Sequence, residues 1–144
     1  FYILAQFLGG WLGVLLASRM LGEAIAHPRV NYVVTIPGAG GAGIAFLAEL
    51  IISFGVMLLI LVVSNTPRIA HLTGLFAGIL IATYITLEAP LSGMSMNPAR
   101  TLASAIPAQN WTALWVYFTA PLLGMLFASE VYVRLMGRNA VRCA

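Results

Sequence analysis

Long runs of apolar residues follow one another along the chain, separated by short polar connections. Crossing a hydrocarbon core of about 30 Å at about 1.5 Å per residue takes roughly 20 apolar residues. Residues 1–21, 44–64 and 111–135 meet that length, and residues 69–87 are only slightly shorter and carry no charge. The pattern predicts four spanning helices. Residues 88–110 are broken by Pro90, Gly93, Pro98 and Pro107, which predicts irregular backbone entering a short helix. The longest polar connection, residues 23–43, holds His27, Pro28, Arg29 and Asn31 before a strand-like run at residues 32–36, and is expected to be an exposed loop. The connection at residues 65–68 is short, with Pro67 restarting a helix, so the spans on either side should be antiparallel neighbours.

Composition sharpens this picture. Of 144 residues, 61% are hydrophobic and 8% charged, against about 25% charged in soluble chains. An ordinary soluble domain is thereby excluded. The net charge of +3 comes from seven Arg and four Glu, too few for a nucleic-acid surface. Cys143 is the sole cysteine, so no intrachain disulfide forms. Arg68, Arg138 and Arg142 fall on one membrane side and Arg19 and Arg29 on the other. The positive-inside rule puts the first group, with the C-terminus, in the cytoplasm. With no initiating Met and an apolar helix from Phe1, the chain is expected to be part of a longer protein.

Several motifs have plain structural readings. Gly38, Gly40 and Gly43 satisfy the dinucleotide-binding glycine pattern, but a membrane span follows them and no acidic residue lies about 20 positions on, so a flexible hinge is the better reading. The pairs Gly9 and Gly13, Gly74 and Gly78, and Gly124 and Ala128 have the spacing that lets membrane helices approach. Glu130 and Arg134 are four apart and predict a surface ion pair. Glu88 is expected to line an outer mouth in hydrated form. His27 and His71 lack a second ligand at metal spacing, so no metal site is expected. Trp11, Trp111 and Trp115 are core or interface anchors.

The run from Gly93 to Arg100 carries more. Asn97 is a preferred N-cap, Pro98 suits the first helical position and Pro107 marks a stop, which predicts a helix over residues 98–106 of about 13 Å, half a bilayer. Such a segment is tolerated at membrane depth only inside protein or along a wet cavity. Its positive dipole end would repel cations and protons. Arg100 sits one turn into it, and an unpaired Arg at that depth costs at least about 2.5–3.5 kcal/mol, so it must face a cavity or a partner. Glu49 lies inside the second span among apolar neighbours. It is either a buried brace or a proton relay.

The string NPAR occurs by chance in roughly one chain per thousand of this length. It falls here after a glycine and between two spans. Together with YILAQFLGG, AELIISFG, TGLFAGILIATYIT, GMSMNPAR and WVYFTAPLLG in that order, it makes the chain resemble the major intrinsic proteins, the aquaporin and aquaglyceroporin channels, from their third spanning helix to the C-terminus. The resemblance implies an all-α membrane bundle, four spanning helices plus one re-entrant half-helix. Residues 1–144 would be a single membrane domain lacking the family's first two helices and first NPA loop.

It further implies a passive channel for water and small neutral solutes, with no enzymatic step, cofactor or metal. The partners implied are membrane lipid and three further copies in a homotetramer of the plasma or cell inner membrane, with no nucleic acid. Asn97, Pro98, Ala99 and Arg100 match the pore motif, Arg100 taking the filter position. Gly93, Met94 and Ser95 would offer carbonyls to the solute. Met94 adds an apolar wall, and Ile85 takes the fifth-helix filter position by counting back from Asn97. Glu49 and Gln6 match bracing positions. Thr101, Ala105, Tyr117 and Phe118 read as water-type, while Ile85 in place of a His makes the filter atypical. A secondary transporter and a non-conducting truncated membrane subunit remain as alternatives.

Overall fold

The structure, a computed structural model, describes residues 1–137, so Arg138, Arg142 and Cys143 lie outside it. Seven α-helices occur among these residues: α1 (Tyr2–Leu21), α2 (Glu23–Ala26), α3 (Gly41–Ser64), α4 (Thr73–Leu87), α5 (Ala89–Ser92), α6 (Pro98–Ala108) and α7 (Leu114–Met136). Short 3-10 turns at Asn31–Val33 and Ala70–Leu72 precede α3 and α4. Tyr2–Leu21, Gly41–Ser64, Ala70–Leu87 and Leu114–Met136 are long and apolar enough to cross a membrane. The four expected spans are therefore present, and α6, with 11 residues, reaches about half as far across the bilayer.

The core forms between α3 and α7. Val116, Ala120, Gly124, Ala128 and Tyr132 recur at four-residue steps along α7 and are all buried, as are Ala45, Glu49, Ile52, Ser53 and Val56 on α3. Small side chains let the two backbones meet closely. A Cβ on Gly124 would lie 2.4 Å from the Leu50 carbonyl oxygen. Stacked Phe46 and Trp115 and tilted Phe54 and Phe127 line the same seam at 5.8 and 5.5 Å between ring centroids. α4 packs against α3, where Gly55 leaves room for the Tyr84 hydroxyl. α6 lies on α1 through Gly10, whose added Cβ would stand 3.3 Å from that of Ala103.

Other small residues serve differently from expectation. Gly9, Gly13, Gly74 and Gly78 meet nothing within 4 Å, and neither α1 nor α4 buries a residue. Gly38 is a close-packing position and not a hinge: its N–H donates to the Leu91 carbonyl at 2.9 Å, and a Cβ there would fall 1.9 Å from the Pro90 carbonyl oxygen. The run at residues 32–36 is not a strand, because Asn31, Tyr32 and Val33 all adopt positive φ, the reverse of strand backbone. Pro107 does not stop α6. It is accommodated in the last turn, and the helix ends at Gln109, whose left-handed conformation turns the N–H groups of Gln109 and Asn110 back onto Ile106 and Ala105.

The contact at Gly124 gives a direct test of the seam. Gly124→Ala must move a backbone carbonyl and not a flexible side chain, so we expect a loss of about 1–3 kcal/mol of stability, read as a lower midpoint in detergent thermal unfolding. An unchanged midpoint would contradict this packing.

Candidate functional site

The site is built where the chain between α5 and α6 turns around a buried carboxylate. Glu49, fully buried on α3, accepts the Ser95 N–H at 2.6 Å and the Ser92 hydroxyl at 2.8 Å on Oε1, and the Met96 N–H at 2.7 Å on Oε2. Both carboxylate oxygens of Glu49 are thus committed to the segment before α6. The Ser92 hydroxyl also accepts the Met94 N–H at 3.0 Å. Such convergence requires an unusual backbone: Gly93, Met94 and Met96 have φ of 82°, 49° and 52°. Gly93 has a further reason to lack a side chain, since a Cβ would sit 3.1 Å from the Thr35 Cα. With the N–H groups drawn to Glu49, no donor among the described residues reaches the carbonyls of Gly93, Met94 or Ser95.

Two further ties hold this segment. The Tyr117 hydroxyl, buried on α7, donates to the Ser92 carbonyl at 2.6 Å. Thr35, from the loop before α3, donates to the Thr101 hydroxyl at 2.8 Å, and Thr101 shares a short hydrogen bond with Ser95. Ser95 in turn donates to the Asn97 carbonyl at 3.0 Å. Ser92, Thr35 and the structural roles of Thr101 and Tyr117 were not visible in the sequence, because single hydroxyls carry no periodic or motif signal.

The half-helix starts as its residues dictate. Asn97 is extended, with φ −149° and ψ 115°, as the following proline requires, and its Oδ1 accepts the Ala99 N–H at 2.9 Å. Pro98 occupies the first turn, where its missing N–H costs nothing. The Asn97 Nδ2 donates to Gln6 Oε1 on α1 at 3.3 Å, leaving its second N–H uncommitted. Gln6 therefore braces Asn97 itself.

Arg100 and Asn97 border a cavity of about 360 Å³ together with Gln6, Tyr32, Val33 and Ser104. Arg100 Nη1 is buried and makes no hydrogen bond, an arrangement that costs about 1–3 kcal/mol unless a solute or water accepts from it. A second, more apolar cavity of about 570 Å³ meets the first at Gln6, Asn97 and Ala99, with Pro98, Met96 and Phe118 on its wall. Asn97, Pro98, Ala99, Arg100 and Gln6 are thus brought together. Met94 and Ile85 are not: Met94 is buried under the loop, and Ile85 is 56% exposed on α4 outside both cavities. Met96, unremarked in the sequence, borders the larger cavity instead.

Glu88 departs from expectation. It is not hydrated at a mouth but 8% exposed, with neither carboxylate oxygen in a hydrogen bond. Burial pushes its carboxyl above the ordinary range; neighbouring Ser92 offsets part of this and the like charge of Glu49 adds to it. Glu130 and Arg134 form the expected exposed pair at 2.6 Å.

A raised carboxyl pKa means that the folded state holds its proton longer than the unfolded chain, so the stability tied to Glu88 is present below the unfolded value and lost as pH rises through the folded one. Glu88→Gln keeps the neutral shape at every pH. We expect the variant to be more stable than the parent at neutral pH and to approach it below the ordinary carboxylate range, measured by thermal unfolding in detergent against pH. A difference independent of pH would overturn this assignment.

The major intrinsic protein family model matches residues 1–132. The chain is 39% identical over 111 residues to "Aquaporin NIP6-1" of Arabidopsis thaliana, covering 76% of this chain and 36% of that one. It is 35% identical over 141 residues to "Aquaporin NIP2-2" of Zea mays, covering 97% and 46%. The chain thus spans less than half the length of these curated relatives. Its fold is similar to the X-ray structure of the aquaglyceroporin from Plasmodium falciparum, with a TM-score of 0.80 at 20% identity over 96% of this chain and 64% of that one.

Proposed function

Because the chain belongs to the major intrinsic protein family, we propose that it supplies one wall of a passive channel for water and small neutral solutes. The observation that carries this reading is Arg100, a residue whose guanidinium makes no hydrogen bond among the described residues and which borders a cavity it shares with the half-helix cap Asn97. A fixed cation and the positive end of a half-helix at one place disfavour cations and protons, while guanidinium and amide N–H groups replace hydrogen bonds that water loses on entry. Ile85, half-exposed on α4, is assigned to the facing wall.

Passive conduction needs no catalytic step, and we assign none. A coupled transporter would need a free ionisable group in the path, whereas Glu49 is committed to three hydrogen bonds. Residues 1–144 are read as one membrane domain, the part of such a channel from its third span onward. The apolar, unburied faces of α1 and α4 suit lipid, a preceding half and further copies in a tetramer. The C-terminus is assigned to the cytoplasm, in a plasma or cell inner membrane, on the basis of Arg68 after α3.

Osmotic shrinkage of proteoliposomes that hold the protein with both halves of the channel, followed in stopped flow, tests the reading. We expect water flux well above that of protein-free vesicles and independent of any ion gradient. Arg100→Val should retain water flux but admit cation or proton current. Glu49→Gln should lower folded yield and flux together without creating pH-coupled uptake. Solute uptake that requires an ion gradient would favour a transporter, and absence of flux from well-folded protein would favour a non-conducting subunit.

A further inference from the structure

We propose that Tyr32, on the turn between α2 and α3, is a solute-discriminating residue of the passage beside Arg100. The inference rests on the channel reading and names a determinant within it. The cavity that Arg100 and Asn97 border is also lined by Ile25, Tyr32 and Val33, all from the connection between α1 and α3. Neither Ile85 nor Met94 reaches it. The one aromatic side chain on the wall of this cavity is thus supplied by a loop and not by a span.

That loop is built to hold the ring there. Asn31, Tyr32 and Val33 have φ of 42°, 54° and 52°, a run of left-handed backbone without a glycine. For a β-branched residue such as Val33 this conformation is a genuine outlier, and strain of this kind persists only where surroundings over-determine it. Here they do. The N–H groups of Asn31, Val33 and Val34 close the turn onto His27, Val30 and Asn31 at 2.8, 2.8 and 3.0 Å. Two residues on, the buried Thr35 hydroxyl bonds Thr101, the residue after Arg100. The turn is therefore registered directly against the half-helix that carries the guanidinium.

A phenol side chain on the wall of the cavity that Arg100 borders takes space from a solute with carbon atoms far more than from water, so its removal should change selectivity more than total flux. Tyr32→Ala should raise the ratio of glycerol to water permeability roughly tenfold in proteoliposomes, with water flux retained. Tyr32→Phe keeps the ring and should keep the ratio. Thr35→Val removes the register bond with little change of shape and should raise the ratio in the same direction. Should Tyr32→Ala fail to fold, Tyr32→Trp and Thr35→Val decide by moving the ratio in opposite directions. An unchanged ratio in folded variants of a water-conducting parent, or glycerol and water fluxes falling in parallel, would overturn the role of Tyr32 alone. Absence of water flux in the parent would overturn the channel reading and this inference with it.

Discussion

The geometry of the site depends on one buried charge. Glu49 sits on the most tightly packed helix pair of the molecule, and its two oxygens gather two backbone N–H groups and a hydroxyl from a loop that has no regular structure of its own. Each bond to an ionised acceptor is stronger than its neutral counterpart, and in a low-dielectric surrounding an unmet carboxylate would be costly. The loop and the carboxylate therefore satisfy each other. The left-handed residues at Gly93, Met94 and Met96 follow from that demand. The position of Asn97, and hence the start and direction of α6, is fixed by where this loop ends.

Around that centre the structure adds ties from every neighbouring element. Tyr117 of α7 holds Ser92, Gln6 of α1 holds the Asn97 amide, and Thr35 of the loop before α3 holds Thr101. Gly38 lets the same loop pass α5 with a backbone hydrogen bond and no side chain between them. A half-helix too short to span the bilayer is thus positioned to sub-helical precision by side chains from three longer helices. Arg100 is the one strongly charged group of the half-helix, and its guanidinium makes no hydrogen bond among the described residues.

Much of this was legible in the residues. The four spans follow from hydropathy along the chain, which needs no knowledge of tertiary contacts. Asn97 and Pro98 announce a helix start because capping is local chemistry, and Glu49 stands out because a carboxylate inside an apolar run must be paired. What the sequence concealed depends on what lies across from a residue. The β-branched run near Val33 suggests a strand, yet the turn there is held left-handed by contacts with α6. Gly38 resembles a hinge until the Pro90 carbonyl is found against it. Pro107 suggests a stop although a final helical turn tolerates it, and Glu88 suggests a hydrated mouth although its surroundings bury it. Met94 and Met96 are equivalent in sequence, yet Met94 is buried and Met96 borders the larger cavity.

The claim that Glu49 organises the loop before α6 is tested most directly by amide hydrogen exchange at Ser95 and Met96 in the parent and in Glu49→Gln. The account expects both amides to be protected in the parent and to exchange far faster in the variant, while amides in the middle of α3 and α7 keep their protection. Equal exchange at Ser95 and Met96 in the two proteins would show that the loop holds its shape without the carboxylate and would contradict the account.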